Sequence, residues 1–296
     1  MPSYQFKREA QVFVVHGGLR YRIDVSDVSF GQTFSAETYP VKTLHAQSNV
    51  FDNSVINKAN AAKFSFTMPA ITESDFTVVR DRLLDATSFD LFIKTPADTF
   101  KLETAVITNG SFVIEKSRPL SIQISGDASK LTRGQTLTGT LQNRSATMSY
   151  TVPKLAITVG GTSLSDDIVG VNLELQNQIK WTPHTTVHAS ISVTNAANTM
   201  YPSAFTLSKK ILSGSITQYV HDSNAANALT WDTDASLSID AGNGLSGSSF
   251  RGFKFGPATC SFTNRVNAGT VFTQNYDWSM VENPTQLSSK INYVTD

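Results

Sequence analysis

The sequence holds a single cysteine, Cys260. That excludes an internal disulfide framework and leaves the fold to be held by packing alone. Its setting, Ala258-Thr259-Cys260-Ser261-Phe262, reads as a strand, so a buried structural thiol is expected there rather than a nucleophile. An excess of charge of one sign is also missing, since 24 basic and 24 acidic residues give a formal net charge of zero. A surface that grips nucleic acid carries a basic excess, because its affinity comes from neutralising phosphates. Only 16% of residues are charged, while Ser, Thr and Asn are abundant, so the surface is polar and sets up little repulsion between copies. No apolar run approaches the length of a membrane span. The start, Met1-Pro2-Ser3-Tyr4-Gln5, lacks the apolar stretch of a secretion signal, and folding in a reducing cytoplasm is expected. Asn109-Gly110-Ser111 and Asn143-Arg144-Ser145 are therefore read as turns, not as glycosylation sites.

Catalytic signatures are equally scarce. Gly242-Asn243-Gly244-Leu245-Ser246-Gly247 matches G-x-G-x-x-G, but a dinucleotide site needs that motif to open a helix. Ser249 to Phe255 reads as strand, so a hairpin loop is expected. His184 and His188 are four apart, yet Pro183 and Thr185-Thr186-Val187 oppose a helix, and no acid completes a zinc-protease pair. Asp232 and Asp234 lack the glycine and distant glutamate of a calcium loop. No G-x-S-x-G elbow occurs. Trp181, Trp231 and Trp278 are assigned to core or subunit packing in preference to stacking on sugars or bases. No catalytic residue, cofactor or metal ligand is expected, and the chain is not read as an enzyme.

What is present is a β-rich pattern with a large core. A length of 296 residues, 40% of them hydrophobic and 18 of them Phe, suits one large or two ordinary domains. Lys63-Phe64-Ser65-Phe66-Thr67-Met68 alternates, which puts Phe64, Phe66 and Met68 on one face of a strand. Thr72 fits a helix N-cap, and Phe76, Val79, Leu83 and Leu84 form one apolar stripe on a helix reaching Ala86. Phe89 to Ile93 is a second strand. Val106 to Ile114 is expected to fold as a hairpin around Asn109-Gly110, and Leu120, Ile122 and Ile124 mark another alternating strand. The expectation is one helix against an antiparallel sheet.

A weak internal duplication runs through the chain. Phe13 to Gly18 has a counterpart in Ala156 to Gly161, each a short strand reaching a Gly-Gly turn. Arg22 to Phe30 matches Ile168 to Leu175, and Lys63-Phe64-Ser65-Phe66 corresponds to the run from Ser213 to Val220. Where the first copy has its helix, the second has only Asp222 to Leu229, at best a short one. Phe253 to Phe262 parallels the Asn-Gly hairpin. Long polar loops, Thr38 to Asn60 and Trp181 to Ser203, occupy matching places. The first contains Tyr39, Leu44, His45, Val50 and Phe51, apolar anchors that suit either a surface loop or a contact arm ordered by a neighbouring subunit. The expected fold is mainly β, with two tandem β-sandwich or barrel domains, residues 1–134 and 153–296, joined by a linker over residues 135–152. Each would carry a flanking α-helix, short in the second.

Asp27-Val28-Ser29-Phe30-Gly31-Gln32, followed by Phe51 to Phe66, resembles the tail tube family of T5-like siphophages. Ile179-Lys180-Trp181-Thr182-Pro183 and Leu212 to Val220 are similar to that family too. The resemblance implies tail-tube-like domains and a structural virion protein. Three duplicated chains would form a pseudo-hexameric ring, and rings would stack into the tube for genome ejection. Implied partners are other copies of the chain, the tape measure protein, and tail terminator or baseplate proteins. DNA would pass through the lumen without specific binding. The expected location is the virion tail, after assembly in the host cytoplasm. A non-polymerising tail component of the same fold, such as a tube initiator or baseplate ring protein, or a sugar-binding β-sandwich module of a virion, is the alternative.

Overall fold

The computed structural model describes residues 9–39, 53–68, 73–115, 120–142, 154–164, 167–182, 200–221, 233–245, 247–283 and 287–294. β1 (Gln11–His16) and β2 (Leu19–Ile23) form a hairpin across Gly17-Gly18. Both glycines have positive φ, 58° and 75°, a region that glycine enters without steric cost. β3 (Asp27–Gly31) follows, then a separate two-stranded ribbon of β4 (Phe34–Tyr39) and β5 (Asn53–Ala59). β6 (Ala62–Met68) leads to helix α1 (Glu73–Asp85), β7 (Phe89–Lys94), β8 (Thr99–Glu115), β9 (Ser121–Ala128), β10 (Lys130–Arg133) and the short β11 (Thr140–Leu141). The later strands are β12 (Lys154–Val159), β13 (Thr162–Ser163), β14 (Ile168–Trp181), β15 (Phe205–Tyr219), β16 (Thr233–Gly242), β17 (Gly252–Asn267), β18 (Thr273–Met280) and β19 (Ile291–Val294).

Two long strands turn this succession into layers. The first part of β8, up to Ala105, pairs with β7 and β10, and β7 continues through β1 to β2. From Val106 onward β8 pairs instead with β9 and β14. β17 divides in the same way, pairing β16 and β19 first and β18 later. The outcome is one antiparallel run in the order β3-β6-β9-β8-β14-β15-β18-β17. Val28, Phe64, Phe66, Ile122, Ile124, Phe112, Leu173, Leu175, Ile216, Tyr276 and Trp278 are buried on one face of this run. The opposite face presents Ser29, Ser65, Gln123, Ser111, Glu174, Ser215, Asp277 and Thr263. A sheet with one apolar and one polar face packs on one side and meets water on the other. The fold class is mainly β with packed sheets, as expected.

Helix α1 lies where the stripe placed it. Phe76, Val79, Leu83 and Leu84 are all buried in the core. The expected hairpin at Asn109-Gly110 is corrected, because β8 passes through it as one 17-residue strand with a register shift between Ile107 and Asn109. Here the glycine serves approach, not turning: a Cβ on Gly110 would stand 2.4 Å from Leu83 Cδ2. Asn109 Nδ2 donates to Glu174 Oε1 at 2.6 Å instead of capping a turn, so the reading of its sequon as a turn is corrected too. Phe253 to Phe262, set parallel to that hairpin, is likewise a continuous part of β17, with Gly256 at φ 88°. The loop read from Thr38 to Asn60 is corrected at both ends, where β4 and β5 pair. A ribbon outside the main sheet need not alternate, and the adjacent Val55-Ile56 concealed it. The expected short helix over residues 222–229, the sequon at Asn143, His184, His188, Trp231 and Asp232 lie outside the described residues.

Candidate assembly edges

The features that could carry function lie along strand edges, so the internal joint between β8 and β14 sets the pattern. Its register runs over seven pairs, from Gly170 opposite Glu115 to Gln176 opposite Asn109. On the core side Leu173 opposes Phe112. On the polar side Ser111 Oγ donates to Asn172 Oδ1 at 3.3 Å. Helix α1 spans the joint. Asn177 Nδ2, from β14, donates to the Leu83 carbonyl at 2.7 Å and to the Ile107 carbonyl at 3.0 Å. Lys210 Nζ, from β15, donates to the Leu84 carbonyl. These side chains satisfy carbonyls that the end of a helix leaves without partners. Arg80 Nη1 donates to Asn292 Oδ1 at 2.7 Å, and Phe76 packs its ring 5.4 Å from that of Tyr293. The one long helix among the described residues therefore binds early and late strands together.

Among the described residues, the two ends of the eight-strand run have no further strand beside them. β3 pairs with β6, and among the described residues no strand lies on its other side. β17 is covered by β16 as far as Phe262, while Thr263 to Asn267 pair only with β18 among the described residues. Near this second edge Val266, Val271 and Phe272 are exposed. A cleft of about 770 Å³ lies along β3, lined by Ser29, Gln32, Lys63, Thr108 and Asp127 among others. Burial pushes the Asp127 carboxyl up, against the opposing pull of Lys63 and Trp181. Lys63 and Asp127 are the charged residues of that cleft, so it holds no assembled acid–base or metal set.

The ribbon leaves the body at a fixed base. Ala59 N donates to the Met200 carbonyl at 2.8 Å, the Phe34 and Tyr201 rings meet edge to face at 6.3 Å, and Ser129 Oγ donates to the Pro202 carbonyl. Of the five arm residues singled out in the sequence, Tyr39 ends β4, while Leu44, His45, Val50 and Phe51 lie outside the described residues. The sequence missed Gln32 and Asn177, whose amides stitch strand ends. Gln32 Nε2 donates to the Asn60 and Ser129 carbonyls and its Oε1 accepts from Leu131 N. Neither carries a local signal: Asn177 sits inside β14, and Gln32, half-buried, lies just past the end of β3.

The chemical candidates resolve as structure. The G-x-G-x-x-G stretch joins β16 to β17 as a loop held by Asn243, which accepts from Leu245 N and Arg251 N. A short 3-10 turn, Gly247–Ser249, precedes β17, which begins at Gly252 and not at Ser249 as the sequence suggested. Cys260 is fully buried, and burial, with Glu282 adding to it, pushes its thiol up to about 12. Trp278 is buried against Phe255, and Trp181 packs edge to face on Phe205. No cluster of three metal-ligating side chains occurs among the described residues, and no helix there is long and apolar enough to cross a membrane.

Among curated proteins no sequence matches. Among solved structures, the chain is similar to one in the cryo-EM structure of the anti-feeding prophage (AFP) baseplate, six-fold symmetrised. The two share 13% identity with a TM-score of 0.38, over 45% of this chain and 97% of that one. The Bacteriophage Baseplate Tube Protein Family matches residues 2–77 and 73–295. The chain thus belongs to the bacteriophage baseplate tube protein family, as a structural component of the phage tail and baseplate and not as an enzyme.

Proposed function

We propose that this chain is a wall subunit of the phage tube that assembles with itself, three copies to a ring, around the path of the DNA. The observation carrying this reading is the β8–β14 joint. Strands β3, β6, β9 and β8 recur in pairing order as β14, β15, β18 and β17, which supports a duplication of residues 1–134 in residues 153–296 across a linker at 135–152. The duplication makes one joint within the chain and leaves its two halves, a β3 side and a β17 side, at opposite ends. Repeating the joint between chains would cover both ends of the eight-strand run, edges that otherwise invite aggregation. Three copies of the eight-strand run would close a 24-stranded wall. At a strand spacing of about 4.8 Å and a tilt near 40°, its backbone diameter is about 48 Å. The apolar face is covered by the chain's own second layer, so the polar face lines the lumen. That face carries Asp27, Asp127, Glu174 and Asp277 against Lys63, Lys209 and Arg265, a wall without a basic excess to hold phosphates, along which DNA can slide.

The resemblance to T5-like tail tubes extends the reading to stacked rings that meet the tape measure and terminator proteins in the virion tail, after assembly in the host cytoplasm. The family's own description favours a second placement, a ring at the baseplate end that starts the tube. Negative-stain microscopy of the purified protein separates these. Tubes support the tail-tube placement, rings that never stack support the baseplate placement, and monomers at every concentration overturn both.

A further inference from the structure

We infer the register of the contact that closes the ring: Thr263 to Asn267 of one copy pair antiparallel with Val25 to Ser29 of the next, setting Arg265 opposite Asp27. This inference rests on the ring reading above. Its template is the joint inside the chain. Across the first four strands Val28 opposes Phe66, Phe66 opposes Ile124, and Ile124 opposes Gly110. Across the later four Leu173 opposes Gly214, Gly214 opposes Trp278, and Trp278 opposes Phe262. Bulk is traded along the row: a Cβ on Gly214 would stand 2.7 Å from Trp278, so the glycine makes room for the indole. Matching the rows lays Asp27 on Asn172, Ser29 on Glu174, Thr263 on Ser111, Arg265 on Val113 and Val266 on Ile114.

The internal joint sets Asn172 opposite Val113 and Glu174 opposite Ser111. Carried to the open edges, the same register sets Asp27 opposite Arg265 and Ser29 opposite Thr263. Two neutral residues at the internal joint are thus replaced by two opposite charges at the external one. The hydrogen bond from Ser111 to Asn172 has a counterpart in Thr263 and Asp27, a hydroxyl donor and a carboxylate acceptor. Within its own chain Arg265 Nε lies 3.3 Å from Asp277 Oδ2, with both side chains largely exposed, so its guanidinium has donors left for a second carboxylate. The pairing stops at Thr263 because β16 already covers Phe262 and Ser261. Val266 is 54% exposed where Ile114, its counterpart at the made joint, is 4% exposed, as expected for an edge awaiting its strand.

Charge reversal tests the register against the ring itself. The purified full chain and its D27R, R265D and D27R/R265D variants are compared by mass photometry across a dilution series at low salt. Each single reversal puts like charges face to face and should raise the midpoint of ring assembly at least tenfold. The double variant should return it to within about threefold of the wild type. Oxidative cross-linking reads the register directly. Residues directly opposite stand about 4.5–5.5 Å apart at Cα, within disulfide reach. S29C/T263C should therefore give covalent dimers and closed trimers, while S29C/N267C, displaced by about 13 Å along the strand, should not. Rings that form equally well in the wild type and all three charge variants, or the displaced pair cross-linking as fast as the opposed one, would overturn the register and leave the ring reading standing. Wild-type protein that forms no ring at any concentration would overturn both.

Discussion

Asn177 holds the two halves of the chain together through two hydrogen bonds, and its removal has a calculable cost. Its side chain is 3% exposed and donates at once to the Leu83 carbonyl, near the end of α1, and to the Ile107 carbonyl beside the β8 bulge. Asn177→Ala strips the donor from both. A buried acceptor left unpaired costs about 1–3 kcal/mol, so a loss of about 2–6 kcal/mol is expected from the pair. That is a large part of the roughly 5–15 kcal/mol by which a folded protein exceeds its unfolded state. Urea denaturation of the monomer measures it, with tryptophan fluorescence and far-UV circular dichroism as independent probes. Asn177→Asp sharpens the test. A carboxylate has the same shape but cannot donate, and burial opposite two carbonyls would raise its pKa. The native state would then bind a proton that the unfolded chain does not, so this variant should be weakest at neutral pH and recover as pH falls. An Ala variant within 0.5 kcal/mol of wild type (about a twofold change in the folding constant), or an Asp variant whose stability tracks wild type across pH, would refute the staple.

Three further outcomes are expected. Leu83→Ala should cost about 2–5 kcal/mol in the same assay, since Leu83 fills the dimple over Gly110; a loss well under 1 kcal/mol would mean that the helix packs elsewhere. The Asp127 carboxyl is pushed up by burial, so the native state holds its proton to higher pH than the unfolded chain, and stability falls as pH rises through that window. Asp127→Asn should therefore be more stable than wild type at neutral pH and lose this advantage below the ordinary carboxylate range; a constant difference in denaturation curves across pH would contradict it. Deleting the tip of the β4–β5 arm, residues 40–52 with Leu44, Val50 and Phe51, should leave a folded, soluble protein that forms rings but no longer stacks them. Hydrogen exchange in that arm should slow on stacking, and equal rates in ring and tube would make it a surface loop only.

The local rules of the sequence read best where one face is buried. The alternation of Phe64, Phe66 and Met68 and the stripe of Phe76, Val79, Leu83 and Leu84 both follow from a face that must leave water, and both stand in the structure. The Asn109-Gly110 signal failed because a tertiary demand overrode local turn chemistry: the helix needed a strand position without a Cβ. The ribbon strand from Asn53 reads as loop in the sequence because neither of its faces has to match the main sheet. The open edges were invisible for a different reason. Which strand lacks a neighbour is decided by pairing between distant residues, such as Asn172 with Val113, and no local pattern records it. Arg265 and Asp27 look like ordinary surface charges until the register brings them to matching places.

The central claim is that one chain supplies two of six positions in a closed ring. Native mass spectrometry of a single unstacked ring tests it most directly. The account predicts three chains of 32.2 kDa each, about 97 kDa. A ring of six chains, about 193 kDa, would contradict it.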